Sequence, residues 1–203
     1  MKIAVIGASG NAGSRITTEL ARRGHAVTAI ARHPEKIAAQ ANVTPTKGDV
    51  MDQAGLAQLL AGHDAAISSV HFLASDPAKL IGAAKESKVG RYLVVGGAGS
   101  LEVAPGVRLV TTPGFPVAYK AEAEKGAAFL DLLRAETELN WTFLSPSALF
   151  TAGERTGKFR LGNDQLLTSA DGKSSISFED FAVALADEIE RPAHIRQRFT
   201  VGY

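Results

Sequence analysis

Near its start the chain reads Ile3-Ala-Val-Ile6 and then, without a break, Gly7-Ala-Ser9-Gly10-Asn11-Ala12-Gly13, with a glycine at every third position. An apolar run with no polar alternation suits a strand buried on both faces of a parallel sheet. From Ala12 to Arg23, Ile16 and Leu20 stand four apart with charges opposite, and Gly24 follows, which predicts an amphipathic helix. A second strand is predicted over Ala26–Ala31. Strand, glycine turn, helix and strand within about thirty residues is the length of a right-handed crossover, which obliges the two strands to lie parallel.

The rhythm continues. Helices are predicted over Pro34–Gln40, Asp52–Ala61, from Ser75-Asp-Pro77 to Lys88, and over Ala121–Ala135; strands over Val43–Lys47, Ala65–Val70, Arg91–Val95 and Trp141–Leu144. Proline cannot donate to a central ladder, so Pro45 puts the third strand at a sheet edge, as the order 3-2-1-4-5-6 requires. Beyond Pro146 the pattern changes. Lys158–Leu161 and Leu166–Ser169 around Gly162-Asn-Asp164 read as a hairpin, Phe178–Ile189 as a helix and Phe199–Val201 as a last short strand. The expectation is one α/β domain over residues 1–203, Rossmann-like and doubly wound around a mainly parallel sheet, with residues 146–203 roofing the acceptor side. A length of 203 residues and a hydrophobic content of 45% suffice for such a core.

Composition removes several functional classes. Twenty-two basic and 21 acidic residues leave a formal charge of +1, so no broad field exists to hold nucleic acid or an anionic membrane. There is no cysteine, and His25, His33, His63, His71 and His194 show no metal-ligand spacing, so no metal is expected. Arg191, Arg196 and Arg198 read as a solvated basic face. Gly172-Lys173-Ser174 has Leu167 where a phosphate loop needs its first glycine. The apolar start is too short for a signal peptide or a membrane span, and a cytoplasmic location is expected.

The glycines are explained by an anion. A strand that turns sharply into a helix leaves unpaired amides and the positive end of the helix dipole above the turn. Gly7 would permit the turn, Gly10 would let a diphosphate approach the backbone, and Gly13 would let the helix pack closely. An acidic residue at the end of the second strand would hold the ribose 2′-hydroxyl of NAD. The sequence has Arg32 there, with Lys36 one turn later, and this favours the 2′-phosphate of NADP(H) over NAD(H). Ligands in open parallel sheets cross the carboxyl ends of the strands. Those ends supply Asp49 for the adenine amine and Val50 for its ring, Ser69 and Val70 for the ribose, Gly96 and Gly97 as room for the nicotinamide half, and Ser145-Pro146-Ser147.

With "GASGNAGSRI", "VTAIARHPEK", "GDV" and "GHDAAISSV", the stretch Met1–Val70 resembles the atypical short-chain dehydrogenase/reductases. Later stretches, "RYLVVGGAGSLEVAPGVRLV", "WTFLSPSALF", "GERTGKFRLG" and "ISFEDFAVALADE", are similar to the NADH-flavin reductase branch, akin to biliverdin-IXβ/flavin reductases and NmrA-like proteins. The resemblance implies an NAD(P)H-dependent reductase whose partner is a small-molecule acceptor, with flavin as substrate rather than prosthetic group, in a monomer or homodimer. Two departures matter. None of Tyr92, Tyr119 and Tyr203 has the lysine of a Tyr-x-x-x-Lys pair; Pro116 stands four residues before Lys120. Gly97 occupies the place of a serine that the biliverdin-IXβ reductases carry, and Ser100 lies three further on. Ser100, Tyr119 and Lys120 are therefore the candidate catalytic residues, and His71, Phe115 and Phe150 the candidate walls of the acceptor pocket. Hydride transfer to a flavin spreads the new charge over the ring, so it can proceed without a strong protein acid. An NmrA-like redox sensor that binds a dinucleotide without turnover is the second reading.

Overall fold

In β1 (Lys2–Ile6) the side chains of Ile3 and Val5 enter one apolar layer and those of Ala4 and Ile6 another, all of them buried. A strand with no polar alternation has no face for water, and the chain must cover it twice. The computed structural model describes residues Met1–Tyr203. After β1 come α1 (Asn11–Arg22), β2 (Ala26–Ala31), β3 (Val43–Lys47), α2 (Gln53–Leu60), β4 (Ala65–Ser68), α3 (Pro77–Ser87) and β5 (Arg91–Val95). The short hairpin β6 (Glu102–Ala104) and β7 (Val107–Arg108) leads to α4 (Val117–Ala135). The chain closes with β8 (Trp141–Pro146), β9 (Leu149–Thr151), β10 (Arg160–Gly162), β11 (Ser175–Ser177), α5 (Phe178–Glu190) and β12 (Gln197–Gly202).

Eight strands form the central sheet in the order β10-β12-β8-β5-β4-β1-β2-β3, parallel throughout except for β10. The Rossmann-like, doubly wound arrangement is thus realised, with Pro45 on the edge strand β3. Ile16 and Leu20 of α1 and Phe181 and Leu185 of α5 cover the face that receives Ile3 and Val5. Leu56 and Leu60 of α2, Leu80 of α3 and Phe129 and Leu133 of α4 cover the other. Helix starts are set by local chemistry: Asp76 accepts from the Ala78 amide at 2.9 Å ahead of Pro77, and Ser177 accepts from the Asp180 amide at 2.9 Å. No helix is long and apolar enough to cross a membrane.

Four expectations need correction. Pro34–Gln40 is not a helix but a single 3-10 turn over Pro34–Lys36, because so short a segment needs tertiary anchors and only Ile37 packs on the core. Leu166–Ser169 is not a strand. β10 pairs instead with β12, Leu161 opposite Val201, since the open edge of the main sheet offers it a ready ladder. Residues 146–203 are also more than a roof, because β12 joins β8 in the central sheet and α5 supplies a full helix layer. Arg198, read as part of a solvated basic face, is buried at the start of β12, where it pairs with Asp164 and donates to Ser145 Oγ at 3.4 Å.

Glu19 clamps the α1–α5 layer. Its carboxylate is 4% exposed and receives Arg155 Nε at 2.8 Å, Arg23 Nε at 2.8 Å and Arg22 Nη2 at 3.0 Å, while Arg23 Nη1 reaches Asp187 and Glu190 of α5, each at 2.8 Å. Burial pushes the Glu19 carboxyl upward, but the hydrogen bonds from Arg155, Arg22 and Arg23 outweigh it and hold the group well below the usual carboxylate range. A depressed carboxyl contributes stability that is fully present above the unfolded-state pKa of about 4.3 and is lost as pH falls below it. Glu19→Ala should cost about 3 kcal/mol of unfolding free energy near neutral pH. Urea unfolding at about pH 7 and about pH 3 should show the wild type losing more stability on acidification than the variant; equal losses would show that Glu19 is not the group responsible.

Candidate functional site

Because β1, β2, β3, β4, β5 and β8 run parallel, their carboxyl ends share one rim. At its centre Gly7 has φ +81°, and its amide and that of Ala8 both donate to the Ile30 carbonyl, at 2.9 and 3.2 Å. A Cβ on Gly7 would fall 2.1 Å from the Ser69 carbonyl oxygen, and one on Gly13 would fall 2.2 Å from the Gly7 carbonyl oxygen. The turn is therefore where β1, the end of β4 and α1 touch backbone to backbone. Gly10 donates to Gly7 at 3.0 Å and caps α1 with no side-chain hydrogen bond. Neither backbone nor side chain accepts from the amides of Ser9, Asn11, Ala12 or Gly13. The first turn of α1 also carries no acidic residue. Bare amides at the positive end of a helix fit a diphosphate.

Arg32 follows β2 directly on this rim, and Lys36 ends the turn beyond it; both are exposed and neither forms an ion pair. Arg15, by contrast, is bound at 3.0 Å to Glu179. Asp49 is exposed and accepts from the Met51 amide at 2.9 Å, which leaves its second oxygen free, and Val50 is half-buried against the α2–α4 layer. Arg32, Lys36, Asp49 and Val50 thus lie on the β2–β3 side of the glycine turn.

On the other side, Ser69 donates its amide to Ile6 at 2.8 Å, so the Ser69 backbone and the Val70 side chain border the turn. Gly97 has only the Phe72 ring near it, at 3.6 Å from a built Cβ, whereas Gly96 lies against Phe143 at 2.2 Å. Gly96 is required by packing, whereas a Cβ on Gly97 would make only an ordinary contact. Ser145 and Ser147 are buried and engaged by β12: the Ser145 carbonyl accepts Thr200 Oγ1 at 2.9 Å, and Ser147 Oγ donates to the Val201 carbonyl at 3.0 Å. Their hydroxyls, with buried Pro146 between them, lock β8 to β12 and do not stand on the rim.

Of the catalytic candidates, Ser100 is 4% exposed with a buried hydroxyl that has no partner, in a turn where Gly99 meets Ala123 of α4. Tyr119 and Lys120 are exposed in the first turn of α4, and their side chains form no hydrogen bond or ion pair. No tyrosine–lysine pair forms. Tyr92 lies wholly in the core, where burial pushes its phenol up. Phe150 packs between Phe178 and Phe181, at 4.5 and 4.7 Å, and belongs to the α1–α5 layer rather than to an open pocket wall. Phe115 is half-buried just before α4, and His71 is 86% exposed after β4.

The residue that sequence reasoning missed is Glu122. Its carboxylate accepts the Phe72 amide at 2.7 Å and the Leu73 amide at 2.9 Å, and lies 3.4 Å from His71 Nδ1. Phe72 below packs edge-on to Phe129 at 6.2 Å. These contacts join positions about fifty apart in sequence, and nothing local to Glu122 signals them.

Gly13→Ala should lower the melting temperature, since its Cβ would collide with backbone. Gly10→Ala meets only the Gly7 carbonyl oxygen, at 3.3 Å, and should fold while binding NAD(P)H at least about tenfold more weakly, because a methyl group then stands where phosphate approaches. Calorimetry with unchanged affinity for Gly10→Ala would remove the turn from the site.

Residues 7–192 match the model of a family described as NAD(P)H-binding. Three solved structures are similar over the whole chain. A "putative exported protein" from Burkholderia pseudomallei is 45% identical, with 100% of both chains covered and a TM-score of 0.90. A "putative epimerase" from Bacteroides thetaiotaomicron is 40% identical, covering 100% of this chain and 96% of that one, with a TM-score of 0.95. A "putative NADH-flavin reductase" from Streptococcus pneumoniae TIGR4 is 39% identical, covering 100% and 99%, with a TM-score of 0.85. Their names differ in activity, so the likeness fixes fold and cofactor class and leaves the acceptor to the residues of the rim. A glycine turn with bare amides, a doubly wound sheet around it and a family match over most of the chain together establish that this protein belongs to the NAD(P)H-binding family.

Proposed function

We propose that the protein is an NAD(P)H-dependent reductase that passes hydride to a flavin or similar conjugated small-molecule acceptor, with NADPH preferred over NADH, working in the cytoplasm. The observation that carries this reading is the unpaired Arg32 beside the amide-lined turn. A guanidinium with no carboxylate partner is free to grip a 2′-phosphate and to stack on adenine, and Lys36 adds a second free charge. The amides of Asn11, Ala12 and Gly13 would hold the diphosphate, Asp49 and Val50 the adenine, and the backbone at Ser69 and Val70 the ribose, with space kept at Gly97. When bound, NAD(P)H supplies the hydride.

No tyrosine–lysine pair forms, so the chain lacks the tyrosine acid that a simple ketone demands. Stacking two planar rings in register can carry a hydride transfer whose charge is delocalised. Flavin then enters and leaves as a substrate. The same absence of a tyrosine–lysine pair suits a redox sensor of the NmrA-like kind, which binds without turnover.

Absorbance at the reduced-nicotinamide band should fall when the protein meets NADPH together with FMN or FAD; tight binding with no oxidation would favour the sensor. Arg32→Ala should weaken NADPH by about tenfold to a hundredfold and NADH hardly at all. Equal losses for both dinucleotides would refute the NADPH preference.

A further inference from the structure

We propose that His71, positioned by Glu122, is a proton donor, and that the acceptors it serves are conjugated diketones of the quinone class, which become oxyanions on receiving hydride. The inference rests on the reductase reading above and extends it to the proton.

Four observations converge on the segment after β4. It runs from Ser69, whose carbonyl meets the glycine turn, to Phe72, whose ring lies against Gly97, so His71 stands between the diphosphate turn and the space kept for the nicotinamide half. Glu122 fixes that segment by taking two consecutive amides, Phe72 and Leu73, and sits 3.4 Å from Nδ1. With Nδ1 turned to a carboxylate, an imidazole presents Nε2 outward, the arrangement that orients a histidine acid. No other charged group comes within ion-pairing distance of His71, and Lys120 and Lys125 on the same helix form no ion pair. Finally, two large hydrophobic side chains stand exposed beside it: Leu73, two residues on, is 60% exposed, and Tyr119, one helical turn before Glu122 and so on its face, is 67% exposed. Exposed apolar groups around one polar pair suit a flat, conjugated ligand.

The chemistry balances. The acceptor takes hydride at one end of its conjugated system, two electrons and one proton, and its carbonyl oxygen becomes anionic. His71 Nε2–H then gives that oxygen a proton, the dinucleotide leaves oxidised, and the exposed imidazole regains its proton from water. A flavin spreads the charge over its ring and depends less on this step.

The test compares turnover with menadione and with FMN in the wild type, His71→Ala and Glu122→Gln. His71→Ala should lose tenfold or more in kcat with menadione and less than threefold with FMN, keep its NADPH affinity by calorimetry, and recover menadione turnover when free imidazole is added. Glu122→Gln should show the same selective loss, together with faster hydrogen exchange at the Phe72 and Leu73 amides. Equal losses with both acceptors, or no rescue by imidazole, would reduce His71 to a structural part and overturn the proposal while leaving the reductase intact. A wild type that oxidises NADPH with neither acceptor would overturn both readings.

Discussion

Three backbones meet at Gly7 with no room for a side chain, and the rest of the molecule is arranged to hold them there. The Ser69 carbonyl closes on Gly7 from β4, and the Gly7 carbonyl closes on Gly13 in α1. At such distances α1 leaves the sheet at an angle fixed by steric contact. Its first amides are aimed at one point above the rim, and no acidic residue in that turn occupies them. The main chain alone thus presents unpaired amides that fit a doubly charged diphosphate, without the help of a large net charge in a chain whose formal charge is only +1.

The two layers over the sheet serve the site differently. On the α1 side, Glu19 gathers Arg22, Arg23 and Arg155, and through Arg23 ties α1 to α5. The segment bearing Arg155 is anchored again where Asp180 accepts the Gly157 amide at 2.8 Å and the Tyr203 hydroxyl at 2.9 Å. Ionic and hydrogen-bonded contacts thus fasten the C-terminal third to the helix that bears the anion site. On the α4 side, Glu122 takes two amides of the segment after β4 and so sets that part of the rim against the helix that flanks it. The glycine turn is built of backbone contacts, whereas the α4 side of the rim is held by the Glu122 side chain.

Paired roles within single motifs follow from this division. Gly96 and Gly97 are neighbours, yet the first is small because Phe143 lies beneath it, whereas a side chain on the second would meet only the edge of the Phe72 ring. Ser145 and Ser147 stand at the end of a rim strand, yet their hydroxyls serve β12, Ser145 accepting from Arg198 and Ser147 donating to the Val201 carbonyl. Position at the end of a strand brings a residue near the site; which way its side chain goes depends on the neighbouring strand.

The sequence by itself determined the glycine turn, the strand order with Pro45 at the edge, and Arg32 beside the turn, because each rests on an interaction among residues close in the chain: a strand run, a helix period, a missing amide donor. Tertiary structure alone decided the rest. It reduced Pro34–Gln40 to a turn for want of apolar anchors, drew β10 to β12 instead of to Leu166–Ser169, sank Arg198 against Asp164, packed Phe150 into the α5 layer and brought Glu122 to His71. These outcomes turn on which surfaces meet, and the free energy of such meetings belongs to pairs far apart in sequence, where neither partner carries a local mark of the other.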